Sequence, residues 1–275
     1  MKSKLASQNP ITIHEAINLI VENLYDFKLD KTVDKVKAGE VNKPLKGIAT
    51  TFLPTIDVIK KCISKEINLI ITHEPVFYGV DDIGWLEENE VFKIKSDLIN
   101  SNEITIWRLH DYKHRKSPDP ILKAITDRLE WGELANPENE RIFHLPEAKL
   151  MDIIKHIKIK LDRGNIRWIG NPDFICKKAG ILVGAPGGKK QISLMENNQL
   201  DLLICGEINE WEISEYVKDA NSAGLNKSLI VIGHETSESD GMKLLAERLK
   251  EIFPNIQVLY IEQSKDKLDQ RFNFY

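Results

Sequence analysis

Short apolar runs alternate with longer stretches whose apolar residues recur every three or four positions, and this pattern continues through most of the 275-residue chain. Runs such as Leu69-Ile70-Ile71 and Leu229-Ile230-Val231-Ile232 predict buried strands, and the 3.6-residue spacing between them predicts amphipathic helices. Thr12 and Glu15 form a capping-box pattern that opens a helix ending near residue 24. A strand over 46–51 follows, then a helix over 55–64 capped by Thr55, and a strand ending at Thr72. Helical spacing returns over 91–100 and 118–129, with an alternating strand over 103–109 between them. Residues 131–140, WGELANPENE, are polar and rich in turn formers, and predict a boundary between a lobe at 1–135 and a lobe at 136–275, with a discontinuous split as the alternative. In the second lobe, strands are expected over 141–145, 178–183, 201–205, 228–232 and 256–261. Helices are expected there over 147–161, 209–223 and 237–253. Strand–helix alternation of this kind predicts an α/β fold of two lobes with largely parallel sheets.

Three of these strands end alike. One runs into His73-Glu74, a second into His110-Asp111-Tyr112-Lys113-His114, a third into Gly233-His234-Glu235-Thr236-Ser237-Glu238. Ligands of parallel α/β sheets bind beyond the carboxyl ends of the strands. Four of the seven histidines sit at these ends, whereas His14, His144 and His156 lie elsewhere. Imidazole and carboxylate together suit zinc, iron, manganese or cobalt. Two such ions ~3.5–4 Å apart can activate a water and polarise a phosphoryl or carbonyl oxygen. The expectation is therefore two divalent metal ions in the cleft between the lobes.

Composition narrows the class. Lys and Arg number 38 against 42 Asp and Glu, a formal net charge of -4, so there is no electrostatic case for nucleic acid or an anionic membrane. No apolar run reaches the ~20 residues a membrane span needs. The opening MKSKLASQNP lacks the apolar middle of a secretory signal, and the three cysteines show neither zinc spacing nor a disulfide framework. A cytoplasmic protein with reduced core thiols is expected.

The motifs carry a resemblance. The order ITHEP, HDYKH, GAPGG, CGEINEW, GHETSE resembles the Nif-three-like dinuclear metal centre family, whose members are often named GTP cyclohydrolase I type 2 proteins, over nearly the whole chain. Gly233, His234 and Glu238 match its Gly-His-x-x-x-Glu without change. The family's His-His-Pro corresponds to His73, Glu74 and Pro75, and its His followed four residues later by Asp corresponds to His110 and His114. The resemblance implies that His73, His110, His114, His234 and Glu238 are metal ligands, and that Glu74, in the place of a second imidazole, is a further one. It also implies a small-molecule substrate and a homo-oligomer, a ring-shaped hexamer. The matching activity is a metal-dependent hydrolase acting on a nucleotide, phosphoester or cyclic amide. A metal-binding regulatory or interaction protein without turnover is the alternative.

Other residues allow two readings each. Asp111 can orient the His110 imidazole or be a solvated loop carboxylate. Glu207 can act as a general base or substrate contact, and both it and Glu210 can simply favour a helix dipole. GAPGGK, residues 184–189, can cradle an anion or be a tight turn without a ligand. Trp107, Trp168 and Trp211 can stack on a base or pack in the core.

Overall fold

The computed structural model describes residues 10–79, 84–163 and 166–263. The polar-then-aromatic tail beyond them lies outside the described residues. In chain order the elements begin α1 (Ile13–Leu24), β1 (Val36–Ala38), β2 (Gly47–Thr51), α2 (Ile56–Ser64), β3 (Leu69–Thr72), α3 (Glu90–Ser101) and β4 (Thr105–Arg108). They continue with α4 (Asp111–Arg115), α5 (Pro120–Arg128), β5 (Ala135–Asn136), β6 (Asn139–Lys149), α6 (Leu150–Leu161), β7 (Arg167–Ile169) and β8 (Ile175–Leu182). Last come α7 (Gly188–Asn197), β9 (Leu202–Cys205), α8 (Glu215–Ser222), β10 (Ser228–Val231), α9 (His234–Ile252) and β11 (Gln257–Tyr260).

This is an α/β fold with two sheets. The described residues divide into two compact units, 10–116 with 242–263, and 117–241. The first sheet has strand order β1-β4-β3-β2-β11, in which β4, β3, β2 and β11 run parallel and only β1 is antiparallel. The second has order β5-β6-β8-β9-β10-β7, with parallel β8, β9 and β10 at its centre and antiparallel edges.

Continuous apolar strands form because both faces of each sheet are covered. In β3, Leu69 and Ile71 enter a cluster with Ile13, Ala16 and Ile20 of α1, and Ile70 enters one with Val58, Ile59 and Cys62 of α2. In the second unit, Leu202 and Ile204 of β9 pack with Ile153, Ile154 and Ile157 of α6. Leu203 and Cys205 face the other way, onto Met195 of α7 and Val217 of α8. Cys62, Cys176 and Cys205 are buried free thiols, as expected of core cysteines. Among the described residues, no helix is long and apolar enough to cross a membrane.

Several elements differ from the sequence expectation in their bounds. The helix expected from 147 begins at Leu150, because β6 stays paired with β8 through Lys149. The helix expected over 209–223 opens with a π-helical turn, Glu210–Ser214, before α8. The helix expected from 237 begins at His234, directly after Gly233 turns the chain at φ 95°. That shift matters, because it places His234 and Glu238 one helical turn apart on one face.

Ile70 is fully buried between β3's neighbours and α2, so Ile70→Ala should cost about 2–5 kcal/mol in urea unfolding.

Candidate metal centre

In the first unit, β3 and β4 pair in parallel with Thr72 opposite Arg108. His73 and His110 therefore leave the sheet at adjacent strand ends. Beyond β3 the chain stays anchored, since His73 N–H donates to Thr51 and Glu74 N–H to Phe52. The Thr72 hydroxyl donates to the carbonyls of Glu74 and Phe52 at 2.9 and 3.1 Å and braces the turn. Past β4, α4 starts at once and sets His114 one turn after His110.

The three imidazoles meet. Ring centroids lie 4.7 Å apart for His73–His110, 5.0 Å for His73–His114 and 4.7 Å for His110–His114. Each ring offers one nitrogen, and these nitrogens all lie within 4.8 Å of one another. His73 Nδ1–H donates to the Leu109 carbonyl at 3.2 Å, and His110 Nδ1–H donates to Asp111 at 3.0 Å. Both bonds fix the tautomer that leaves the Nε2 lone pair for a metal. His73 Nε2 and His114 Nε2 are 3.1 Å apart. Two imidazole nitrogens on one tetrahedral zinc, at 2.0–2.1 Å from it, sit about 3.3 Å apart, so the cluster fits a divalent ion. Asp111 thus orients an imidazole, the first of its two readings.

Two residues outside the motifs hold this cluster. Asp34 Oδ1 accepts from the backbone N–H groups of His110 and Asp111 at 2.7 and 2.8 Å, and its Oδ2 from that of Tyr112 at 2.9 Å. One carboxylate thereby satisfies the start of α4, where His110 makes no side-chain cap of its own. Arg108 is buried and grips the other strand end: its Nε–H donates to the His73 carbonyl at 3.1 Å and its Nη2–H to Glu74 Oε2 at 3.2 Å. Glu74 Oε1 then lies 3.8 Å from His110 Nε2. The Glu74 carboxylate is thus paired with a guanidinium.

In the second unit, β8, β9 and β10 are in register, with Leu182 and Val231 flanking Cys205. Their ends carry Gly184, Glu207 and His234. His234 Nδ1 lies 3.0 Å from Glu207 Oε2 and its Nε2 lies 3.0 Å from Glu238 Oε2, so each ring nitrogen faces a carboxylate. A neutral ring carries one proton, so one of its nitrogens presents a lone pair to a carboxylate oxygen, and that contact needs a cation, either a second proton or a metal ion. The Glu238 side chain is 2% exposed and Glu207 58%, so the inner carboxylate faces the ring from the buried side and the outer one from solvent.

The remaining sequence candidates resolve as follows. Glu210 pairs with Arg167 of β7. The N-terminus of α7, where GAPGGK invites an anion, is taken by the protein's own Glu212, whose Oε2 accepts from Gly188 N–H at 3.0 Å and Asn209 Nδ2 at 2.7 Å. Trp107 is core, whereas Trp168 and Trp211 are exposed. His14, His144 and His156 contact Asn18, Asn136 and the Leu129 carbonyl, apart from both clusters.

The family model described as Duf34/NIF3 (NGG1p interacting factor 3) matches residues 11–267, and the chain belongs to this family. A Clostridium perfringens protein named GTP cyclohydrolase 1 type 2 homolog is 23% identical over 274 residues, covering 94% of this chain and 98% of that one. Among solved structures, a Staphylococcus aureus protein, SA1388, superposes with a TM-score of 0.74 at 15% identity, over 98% of this chain and 100% of its own. A Bacillus cereus protein related to NIF3 gives 0.73 at 15% identity, over 98% and 99%. At these identities the solved structures establish the shared fold.

Two predictions follow from the first cluster. Asp34→Ala leaves three backbone donors of α4 without their acceptor, and should cost about 1–2 kcal/mol in urea unfolding of the metal-free protein. Burial, followed by the neighbouring His73, pulls the His110 pKa below the usual histidine value. The unfolded chain then takes up a proton near pH 6.5 that folded His110 resists. Metal-free protein should lose stability as pH falls below about 6.5, and His110→Gln should flatten that loss.

Proposed function

We propose that this member of the Duf34/NIF3 family is a metal-dependent hydrolase that holds two divalent ions. His73, His110 and His114, with Glu74 beside them, form one donor set, and His234 with Glu238 forms the other. The observation that carries this reading is the three-imidazole cluster, whose His73 and His110 rings commit Nδ1 to the Leu109 carbonyl and to Asp111 and keep Nε2 for a metal. Three imidazole ligands leave room in a four-coordinate ion for water or substrate, whereas closed structural zinc sites lean on cysteine. The three cysteines are all buried in cores.

When bound, a divalent ion supplies Lewis acidity: it lowers the pKa of water and polarises a phosphoryl or carbonyl oxygen. The chain's own residues do the rest. Asp111 and the Leu109 carbonyl set two ring orientations, and Arg108 fixes Glu74. Glu207 orients His234 through Nδ1 and, being exposed, is also placed to receive a proton from solvent or substrate. Nucleotides, phosphoesters and cyclic amides are the substrate classes that this chemistry serves. The name of the Clostridium perfringens relative makes GTP the first nucleotide to test.

Protein purified without chelator should carry close to two equivalents of transition metal by elemental analysis. His73→Ala should lose the ion of the first set, and a His234→Ala/Glu238→Ala variant that of the second. Wild-type protein with only trace metal after reconstitution would contradict the reading. Stoichiometric metal with no turnover across the three substrate classes would make it a metal-binding regulatory protein instead.

A further inference from the structure

The glycine turn GAPGGK is the one sequence motif that the metal reading leaves without a role, because Glu212 already occupies the α7 N-terminus. Its first residue touches the second donor set directly. Gly184 has φ +67°, and a Cβ built there would lie 2.4 Å from Glu238 Oε1, 3.1 Å from Glu238 Cδ and 3.4 Å from His234 Nε2. The space a methyl group would take is the space of the Glu238 carboxylate. The same glycine holds the start of α9 by its backbone: Gly184 N–H donates to Ser237 Oγ at 3.0 Å, and that hydroxyl donates to the His234 carbonyl at 2.7 Å. Its carbonyl accepts from Glu207 N–H at 2.8 Å. Three members of the second cluster, Glu207, His234 and Glu238, are therefore within one contact of Gly184.

We infer that Gly184 is the positioning residue of the second donor set: its missing side chain gives Glu238 its place against His234, and its peptide groups hold the backbone that carries both. This rests on the metal reading above. The glycine of an apparent phosphate-type loop then serves a metal ligand rather than an anion. Gly224 provides the contrast within the same unit. It too has a positive φ, +80°, but a Cβ there would meet nothing within 4 Å. Alanine at either position carries backbone strain, and only alanine at 184 collides with a ligand.

The test uses the full-length protein, stripped of metal and titrated with cobalt(II), whose visible absorption reports binding. Thermal unfolding is recorded on each sample. Gly184→Ala should weaken one of the two cobalt equivalents about 10–100-fold and spare the other. Gly224→Ala should bind both as wild type does. Glu238→Asp withdraws the carboxylate by about 1.5 Å, so Gly184→Ala should cost less cobalt affinity in that background than in the wild type. Should Gly184→Ala fail to fold, recovery of folding and cobalt binding in Gly184→Ala/Glu238→Asp supports the inference, and its absence while Glu238→Asp alone folds overturns it. Wild-type binding by Gly184→Ala, or an equal loss in Gly224→Ala, overturns the inference and leaves the metal reading standing. A wild-type protein that takes up no cobalt overturns both.

Discussion

The first cluster depends on one pairing, the parallel alignment of β3 with β4 that sets Thr72 opposite Arg108. A strand's side chains alternate faces, so a slip of one residue would send Arg108 to the wrong side and separate His73 from His110. Register is held by burial on both faces: Ile70 and Ile106 enter one core cluster, while Ile71 and Trp107 enter the other. The hydrophobic pattern that forms the sheet thus also fixes where the imidazoles emerge. The second cluster follows the same logic, with β8, β9 and β10 in register and α9 starting immediately after β10.

Glu74 shows how a site holds a carboxylate beside a group of imidazoles. A buried carboxylate without a partner is costly. Here Arg108 supplies the partner from the adjacent strand, and its fork takes the His73 carbonyl at the same time.

Much of this was legible in the sequence. Apolar runs that end in His73, His110 and His234 show the strand ends, whereas the helix faces shared by His110 and His114 and by His234 and Glu238 appear only once α4 and the early start of α9 are seen. The supporting residues were not legible. Asp34 lies in a polar stretch 76 residues before His110 and gains meaning only when that stretch packs over α4. Arg108 lay unremarked inside the alternating strand expected over 103–109, and only the pairing of β4 with β3 brings it to Glu74. Gly184 read as part of either an anion loop or a plain tight turn, because sequence cannot show that Glu212 fills that helix end or that Glu238 fills the space beside the glycine. The short edge strands β1, β5 and β7 escaped notice for a related reason: two or three residues carry no periodicity, and their pairing is decided by the neighbouring strand.

The central claim is that imidazoles at these strand ends bind metal. X-ray absorption at the metal edge of the zinc-loaded protein tests it most directly, because imidazole gives a characteristic multiple-scattering pattern. Four histidines shared by two ions predict an average of two imidazoles per zinc with oxygen completing the shell. A shell made of oxygen alone, or one containing sulfur, would contradict the account.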